Sequence, residues 1–465
     1  MTTLPPPPAE AALRRELNIV DLIFAQILLV IVPDFFGTAV KAGPAHVVLW
    51  LAAILLFFIP LALIVAHLNR LMPLEGGLYE WARLAFNDQI GFLVAWNLWL
   101  FIMLYVAVIG LVTTTSLAYA IPSLGWIAAS KWVVLAASVA LIALQMVLAA
   151  IGFAVGKWIN NAGSIAVLIT VGLLVGLPIF SVWRGTLTTF HPLRLAAPSL
   201  TVFTVSVFSK MTFGALSGFE YVAIFAGESR NPARNIACSI LITAPVIAII
   251  YIFTTSAILS YVSPDSIDVI GPIPQALRMG FGNLGAIIVP IAIFLLLANY
   301  LTTFSLYFSG SARLPMAAGW DHLLPAWFSQ LHARHKTPVN SILFLGGATL
   351  AASAAALIGV GPQEAYELLL TWGFTFYGIA YLALFAIPLF ARKSRGIRPG
   401  VLLRIAAASG LMVTALFVVL SVFPIIHVES ESNYSWKIAA VVLGANVIGW
   451  IIYRAGQQKS HEFLK

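Results

Sequence analysis

Apolar residues run along this chain in blocks of roughly 20 or more, separated by short polar connections. Twelve blocks lie near 18–42, 44–69, 90–121, 131–151, 157–182, 202–227, 236–262, 284–312, 340–359, 363–390, 402–424 and 436–455. Each is long enough to cross about 30 Å of hydrocarbon as a helix. Two blocks are interrupted. In the first, Leu28-Leu29-Val30-Ile31-Val32 is followed by Pro33, Asp34 and, after two phenylalanines, Gly37 and Thr38. Pro33 has no N–H for the carbonyl four residues back, so the helix breaks or kinks there. Backbone groups freed inside hydrocarbon are tolerated only where protein or a wet cavity satisfies them. Asp34 costs a few kcal/mol at membrane depth unless it is paired or hydrated. In the sixth block, Phe213-Gly214-Ala215-Leu216-Ser217-Gly218-Phe219-Glu220 combines small residues with a second acid. Small residues in a membrane helix commonly serve close packing, but an intramembrane acid marks a site.

Broken segments at corresponding positions of two halves point to an inverted-repeat transporter with cargo bound at the midplane. The expected organisation is a first repeat over 18–182, a second over 202–390 and two peripheral helices over 402–455. Residues 1–17, with prolines at 5–8, form an expected disordered cytoplasmic tail, and 456–465 a second cytoplasmic tail. No cleavable signal peptide is visible. The fold class is therefore all-α and polytopic, with 12 transmembrane helices, of which helices 1 and 6 are broken.

Composition agrees. Of 465 residues, 61% are hydrophobic and 9% charged, with mean hydropathy +0.99, whereas a soluble chain carries about 25% charged residues. The excess of 25 Lys and Arg over 17 Asp and Glu reads as basic cytoplasmic loops rather than an anionic partner, and no nucleic acid is implied. Placing the N-terminus inside puts 18 of the 25 basic residues on the cytoplasmic side, from Arg14 and Arg15 to Lys465. Lys41, Lys131, Arg184, Arg194, Lys210, Arg278 and Lys437 are the others. Acids such as Asp265, Asp268, Glu364, Glu367, Glu429 and Glu431 fall to the outer loops. Both termini are thus expected in the cytoplasm, with the protein in the cell membrane. Connection 73–81 suits a short amphipathic helix at the inner interface, and connection 264–282 suits an outer loop lying over the protein. Cys238 is the one cysteine, so no internal disulfide or cysteine-based metal site can form.

Ser217-Gly218-Phe219-Glu220, followed by Ala226-Gly227-Glu228-Ser229-Arg230-Asn231-Pro232-Ala233-Arg234-Asn235-Ile236, resembles the helix 6–7 signature of the amino acid–polyamine–organocation (APC) superfamily. Lys41-Ala42-Gly43-Pro44-Ala45 looks like that family's helix 1–2 corner, and Pro73 to Tyr79 its "P-x-x-G-G-x-Y" inner loop. Arg313-Leu314-Pro315 through Trp320-Asp321, with Lys336-Thr337-Pro338, is similar to the loop after its helix 8. The resemblance spans about 18–455. It implies a LeuT-type 5+5 inverted repeat, alternating access, and amino acids or related small organic amines and polyamines as cargo. No enzyme activity or cofactor is expected, and no HExxH, GxSxG, Walker-type or haem pattern stands out.

Helix 1 departs from the family's pattern. Amino acid carriers of the family commonly hold the substrate carboxylate on the bare N–H groups of a glycine- and serine-rich break. Here a carboxylate, Asp34, occupies that region, which would repel a carboxylate and attract an ammonium. Two readings stand: Asp34 anchors an ammonium, or it caps the second half-helix and faces away from cargo. Gly37 and Thr38 can still offer N–H groups, so a zwitterion stays in play. Glu220 in the family's motif binds substrate or gates with a proton; the bland reading is a hydrogen bond across helices. Phe35 and Phe213 are candidate pocket walls, with cation–π contact on offer. Position 214, where some relatives carry a gating tryptophan, is glycine, which suggests a roomier pocket or a gate elsewhere. Ser217 and Gly218 complete the helix 6 break, and Asn97, Tyr105 and Asn299 are polar groups able to face cargo. Lys210 and Lys41 are expected to snorkel to the outer interface, with Lys157 doing so at the inner face. Some proton-coupled relatives carry a lysine in mid-helix 5, but 163–173 has none. Thr302 and Thr303 offer hydroxyls to Na⁺ or bond the backbone. H⁺ is favoured over Na⁺ as the coupling ion. A membrane sensor that binds an amine without moving it is the alternative, although the chain has no soluble signalling domain to report binding.

Overall fold

The computed structural model describes residues 18–72, 77–152, 157–221, 232–317, 325–332, 335, 337–391 and 399–463. Among these residues the regular structure is helical, with no strand. The first span is split into α1a (Ile19–Val30) and α1b (Asp34–Val40), bent by 56°. The others are α2 (Gly43–Leu71), α3 (Asp88–Ala120), α4 (Lys131–Ala150), α5 (Lys157–Trp183), α6 (Val202–Leu216) and α7 (Pro232–Leu259). Then follow α8 (Gly285–Ala317), α9 (Val339–Ala356), α10 (Pro362–Phe390), α11 (Val401–Leu420) and α12 (Glu431–Phe463). Among the described residues eleven helices are long and apolar enough to cross a bilayer, and the bent α1 pair makes twelve. This is an all-α polytopic architecture of LeuT type.

The breaks fall where the sequence weakens the helix. Asn18 caps α1a, accepting from the N–H groups of Val20 and Asp21, and Asp21 reaches back to the Asn18 N–H in a capping box. Helical bonding ends at Val30 because Pro33 brings no N–H. In α6 the helix ends at Leu216, Ser217 turns extended and Gly218 takes φ +117°. Only glycine adopts that conformation without strain. Helix α2 loosens into a π turn at Ile54–Phe58, which carries two buried rings, Phe57 and Phe58, toward the α6 break. Phe58 stacks on Phe219 at 4.9 Å, and Phe57 meets Phe213 at 5.7 Å.

Around the breaks, α1a packs against α5 and α7, and α1b against α6 and α7. Span α10 packs along α3 and α11, and α8 along α5, α3 and α4. Span α11 also lies against α2 and α6, where Phe417 stacks on Phe213 at 4.5 Å. The outward surface is apolar. Leu55, Trp132, Trp183, Phe294 and Trp436 are each more than 60% exposed, as lipid-facing side chains should be, and the tryptophans sit at helix ends.

Two connections have structure of their own. Leu78–Ala85 is a short helix with Leu78, Trp81, Ala82 and Ala85 buried and Arg83 paired to Glu80. The first part of the expected interfacial helix, 73–76, lies outside the described residues. So do 1–17, most of the signature after helix 6, and 318–324 of the loop after helix 8. Connection 264–282 does lie over the protein: Ile267, Val269 and Ile270 are buried, and a helix follows at Pro272–Phe281. It presses on α1b so closely that a Cβ on Gly37 would sit 3.0 Å from the Val269 Cα.

Candidate functional site

Both interruptions lie inside the bundle, where each bared backbone group needs a partner. Tyrosine hydroxyls supply most of them. At the first break the Tyr251 hydroxyl accepts from the Val32 N–H and donates to the Val30 carbonyl, both at 3.0 Å. Tyr307 donates to the Leu29 carbonyl at 3.3 Å. At the second break Tyr381 accepts from the Gly218 N–H at 2.8 Å.

The two acids are held in the same way. Asp34 is 1% exposed. It receives the hydroxyl of Tyr366 at 2.7 Å, of Tyr105 at 3.3 Å and of Tyr300 at 3.5 Å. An O–H···O bond is best near 2.7–2.8 Å, so Tyr366 is the strong partner and the other two are long. Glu220 is 3% exposed, and its two oxygens receive the hydroxyls of Tyr377 and Tyr381. Asp34 opens α1b, but the N-cap position is Pro33 and no side chain caps that end. The capping bond does not form; the carboxylate's partners lie on α3, α8 and α10.

Among the described residues neither acid has a basic partner; the ion pairs there are Arg83–Glu80, Lys210–Glu367 and Lys437–Glu364. An isolated buried carboxylate is expensive, and hydroxyl donors offset only part of that cost. The arrangement suits a mobile cation, whether an ammonium or a proton.

Aromatic rings fill the space between the acids. Phe374 meets Phe35 edge-on at 4.6 Å and Tyr105 at 5.7 Å, and Phe101 stacks on Tyr377 at 4.3 Å. Phe213 packs against Tyr377 and Tyr381 at 5.7 and 5.1 Å.

The structure thus gathers Asp34, Phe35, Tyr105, Phe213, Gly218 and Glu220 around the two breaks. Thr38 and Ser217 are buried beside them, and Gly37 lies under the 264–282 connection. Asn299 is elsewhere, donating to the Gly163 carbonyl at 3.2 Å between α8 and α5. Asn97 binds Asn446 of α12 at 2.8 Å. The Thr302 hydroxyl is turned to the Asn299 carbonyl, whereas the buried Thr303 hydroxyl has no partner.

Three expectations are corrected. Lys210 does not snorkel: it is 4% exposed and its ammonium lies 2.7 Å from Glu367. Glu367, expected in an outer loop, is buried inside α10. Gly214 does not widen the pocket, because the Phe35 ring fills its space and a Cβ there would fall 2.0 Å from Phe35 Cε1. The side chain of Lys157 lies outside the described residues.

Sequence reasoning missed Tyr366, Tyr377 and Tyr381 on α10, and Tyr251 and Tyr307. A signal was present. Positions 366, 377 and 381 differ by 11 and 4, which places all three hydroxyls on one face of a helix.

Residues 17–446 match the amino acid permease family. The chain is 26% identical over 388 residues to the branched-chain amino acid permease BcaP of Bacillus subtilis, covering 77% of this chain and 80% of that protein. It is 22% identical over 382 residues to the probable agmatine/putrescine antiporter AguD of Lactococcus lactis, covering 81% and 78%. It is 25% identical over 377 residues to the methylthioribose transporter of Bacillus subtilis, covering 75% and 76%. Matched to the family pattern over residues 17–446 of 465 and folded around two broken helices, the chain belongs to the amino acid permease family of the APC superfamily; it is a multi-pass membrane transporter, not an enzyme.

Proposed function

We propose that this protein is a secondary active transporter that works by alternating access in the cell membrane, with both termini in the cytoplasm. Its cargo is a small organic amine or polyamine, or a cationic amino acid, whose ammonium is anchored by Asp34. The carrying observation is the counter-ion gap: Asp34 is buried at the α1 break, receives three tyrosine hydroxyls and has no basic partner among the described residues. A cargo ammonium supplies the missing positive charge and donates charge-assisted hydrogen bonds. A cargo carboxylate at the same point would meet a like charge. An amine cargo is in keeping with the relative named as a probable agmatine/putrescine antiporter, and an amino acid with the one named as a branched-chain amino acid permease.

Glu220 takes the complementary part, binding the distal end of the cargo or carrying the proton that drives the cycle. Proton coupling is favoured over sodium because Glu220 is a buried titratable group at the second break. Of the two hydroxyls that could serve sodium, that of Thr302 is turned to its own helix backbone.

Flux into proteoliposomes tests the proposal. Uptake or exchange of a labelled diamine should be competed strongly by other amines and weakly by the parent amino acids, and a proton gradient should drive it better than a sodium gradient. Binding of the amine without any flux would make the protein a sensor and refute transport. Equal competition by amine and parent amino acid would refute the ammonium anchor.

A further inference from the structure

Lys210 and Glu367 form a buried pair that the transport cycle described above does not use. Lys210 lies on α6 and Glu367 on α10, each 4% exposed, with 2.7 Å between them. Thr371, one turn along α10, lies 3.4 Å from the ammonium and 3.5 Å from the Glu367 carboxylate, and 3.1 Å from the Tyr434 hydroxyl of α12. The Lys210 ammonium also sits 5.8 Å above the Tyr434 ring.

A buried ion pair is weak evidence for stability. Desolvation costs several kcal/mol per ion, and apolar replacements of similar size are often neutral or stabilising. Its value lies in specifying one arrangement of the helices that carry it. Here the arrangement is plain from the neighbours. The residue before Glu367 is Tyr366, the 2.7 Å partner of Asp34. One turn after Lys210 is Gly214, whose missing side chain leaves room for the Phe35 ring, next to Asp34. Asp34, Tyr366, Glu367, Lys210, Gly214 and Phe35 therefore close a circuit through α1b, α10 and α6.

We propose that the Lys210–Glu367 pair is a positioning device for the binding site: it fixes α10 against α6 so that Tyr366 holds the Asp34 carboxylate in the orientation that receives cargo. This rests on the reading of Asp34 as the ammonium anchor. Lys210 and Glu367 touch no cargo themselves. Their influence runs through the Tyr366 hydroxyl.

The test is a double-mutant cycle on amine binding, measured on purified full-length protein with putrescine as probe. One arm is Tyr366→Phe. The other is the neutral, near-isosteric double substitution Lys210→Met with Glu367→Gln, which leaves no unpaired buried charge. Each arm alone should weaken binding about tenfold, the lower end of what one lost hydrogen bond to a charged group costs. Together they should weaken it little further, because residues acting through one contact are not additive. Maximal flux at saturating putrescine should change much less than affinity. If the neutral pair fails to fold, Glu367→Asp serves in its place: it keeps both charges, withdraws the carboxylate by one methylene and should give the same non-additivity. Additive losses, or unchanged affinity in a folded variant, overturn the positioning role. Asp34→Asn is run alongside. If it binds putrescine as tightly as wild type, the anchor reading fails and this proposal with it. If it weakens binding while the cycle is additive, only the positioning role falls.

Discussion

Replacing Asp34 by asparagine changes one charge and almost no volume, so its consequences can be worked from the hydrogen bonds. The amide oxygen can keep Tyr366 and Tyr300, both of which donate to Oδ1. Tyr105 donates to Oδ2; there the amide presents N–H, and the rotatable phenol hydroxyl can turn to accept. The folded state thus loses no partner outright and is relieved of a buried charge, so the melting temperature should move by only a few degrees. Binding is different. A hydrogen bond to an ionised partner contributes about 1.5–3 kcal/mol. At about 1.4 kcal/mol per decade, the ammonium should bind about 10- to 150-fold more weakly. Relative affinity for the parent amino acid should improve, since a like charge has left the pocket. The assay is competition between one amine and its parent amino acid on wild type and variant. An unchanged preference in a well-folded Asp34→Asn protein would refute the reasoning. Asparagine caps a helix as well as aspartate does, so a cap role predicts that null result.

Glu220→Gln should flatten the pH dependence of flux in proteoliposomes, because glutamine cannot exchange a proton; an unaltered profile would make Glu220 structural. Tyr381→Phe removes the hydroxyl that links the Gly218 N–H to a Glu220 oxygen, so stability should fall by about 1–3 kcal/mol, readable as a lowered melting temperature in detergent. Gly214→Ala should sharply reduce transport by driving the Phe35 ring from its seat, and adding Phe35→Leu should restore part of it. In a Cys238→Ala background, a cysteine at the exposed Ser266 should react with an impermeant reagent on intact cells while one at Gln458 is protected; the reverse would invert the topology.

The two breaks and their acids were legible because proline, glycine and carboxylates are conspicuous in an apolar run. The partners of those acids were not. Tyr366, Tyr377 and Tyr381 sit in α10, a span whose apolar residues surround it, and burial on nearly all sides hides which face points inward. Lys210 was misplaced for a related reason. Snorkelling is the ordinary resolution for a lysine near a helix end, and the competing resolution, a buried counter-ion 157 residues away, leaves no trace in local sequence. Gly214 misled because an absent side chain was read as empty space, whereas packing at interior density filled it with a ring from another helix. Asn97 and Asn299 went to helix contacts, a use of polar side chains that membrane interiors share with binding sites.

The close approach of Gly37 to Val269 has a mechanical consequence. Backbone lies against backbone there, 3.0 Å from where a Cβ would stand, so no flexible side chain is interposed to absorb a change in spacing. A tilt of α1b must carry the 264–282 connection with it, or separate from it cleanly. A single bulky substituent at position 37 therefore has no room unless α1b and the connection are pushed apart.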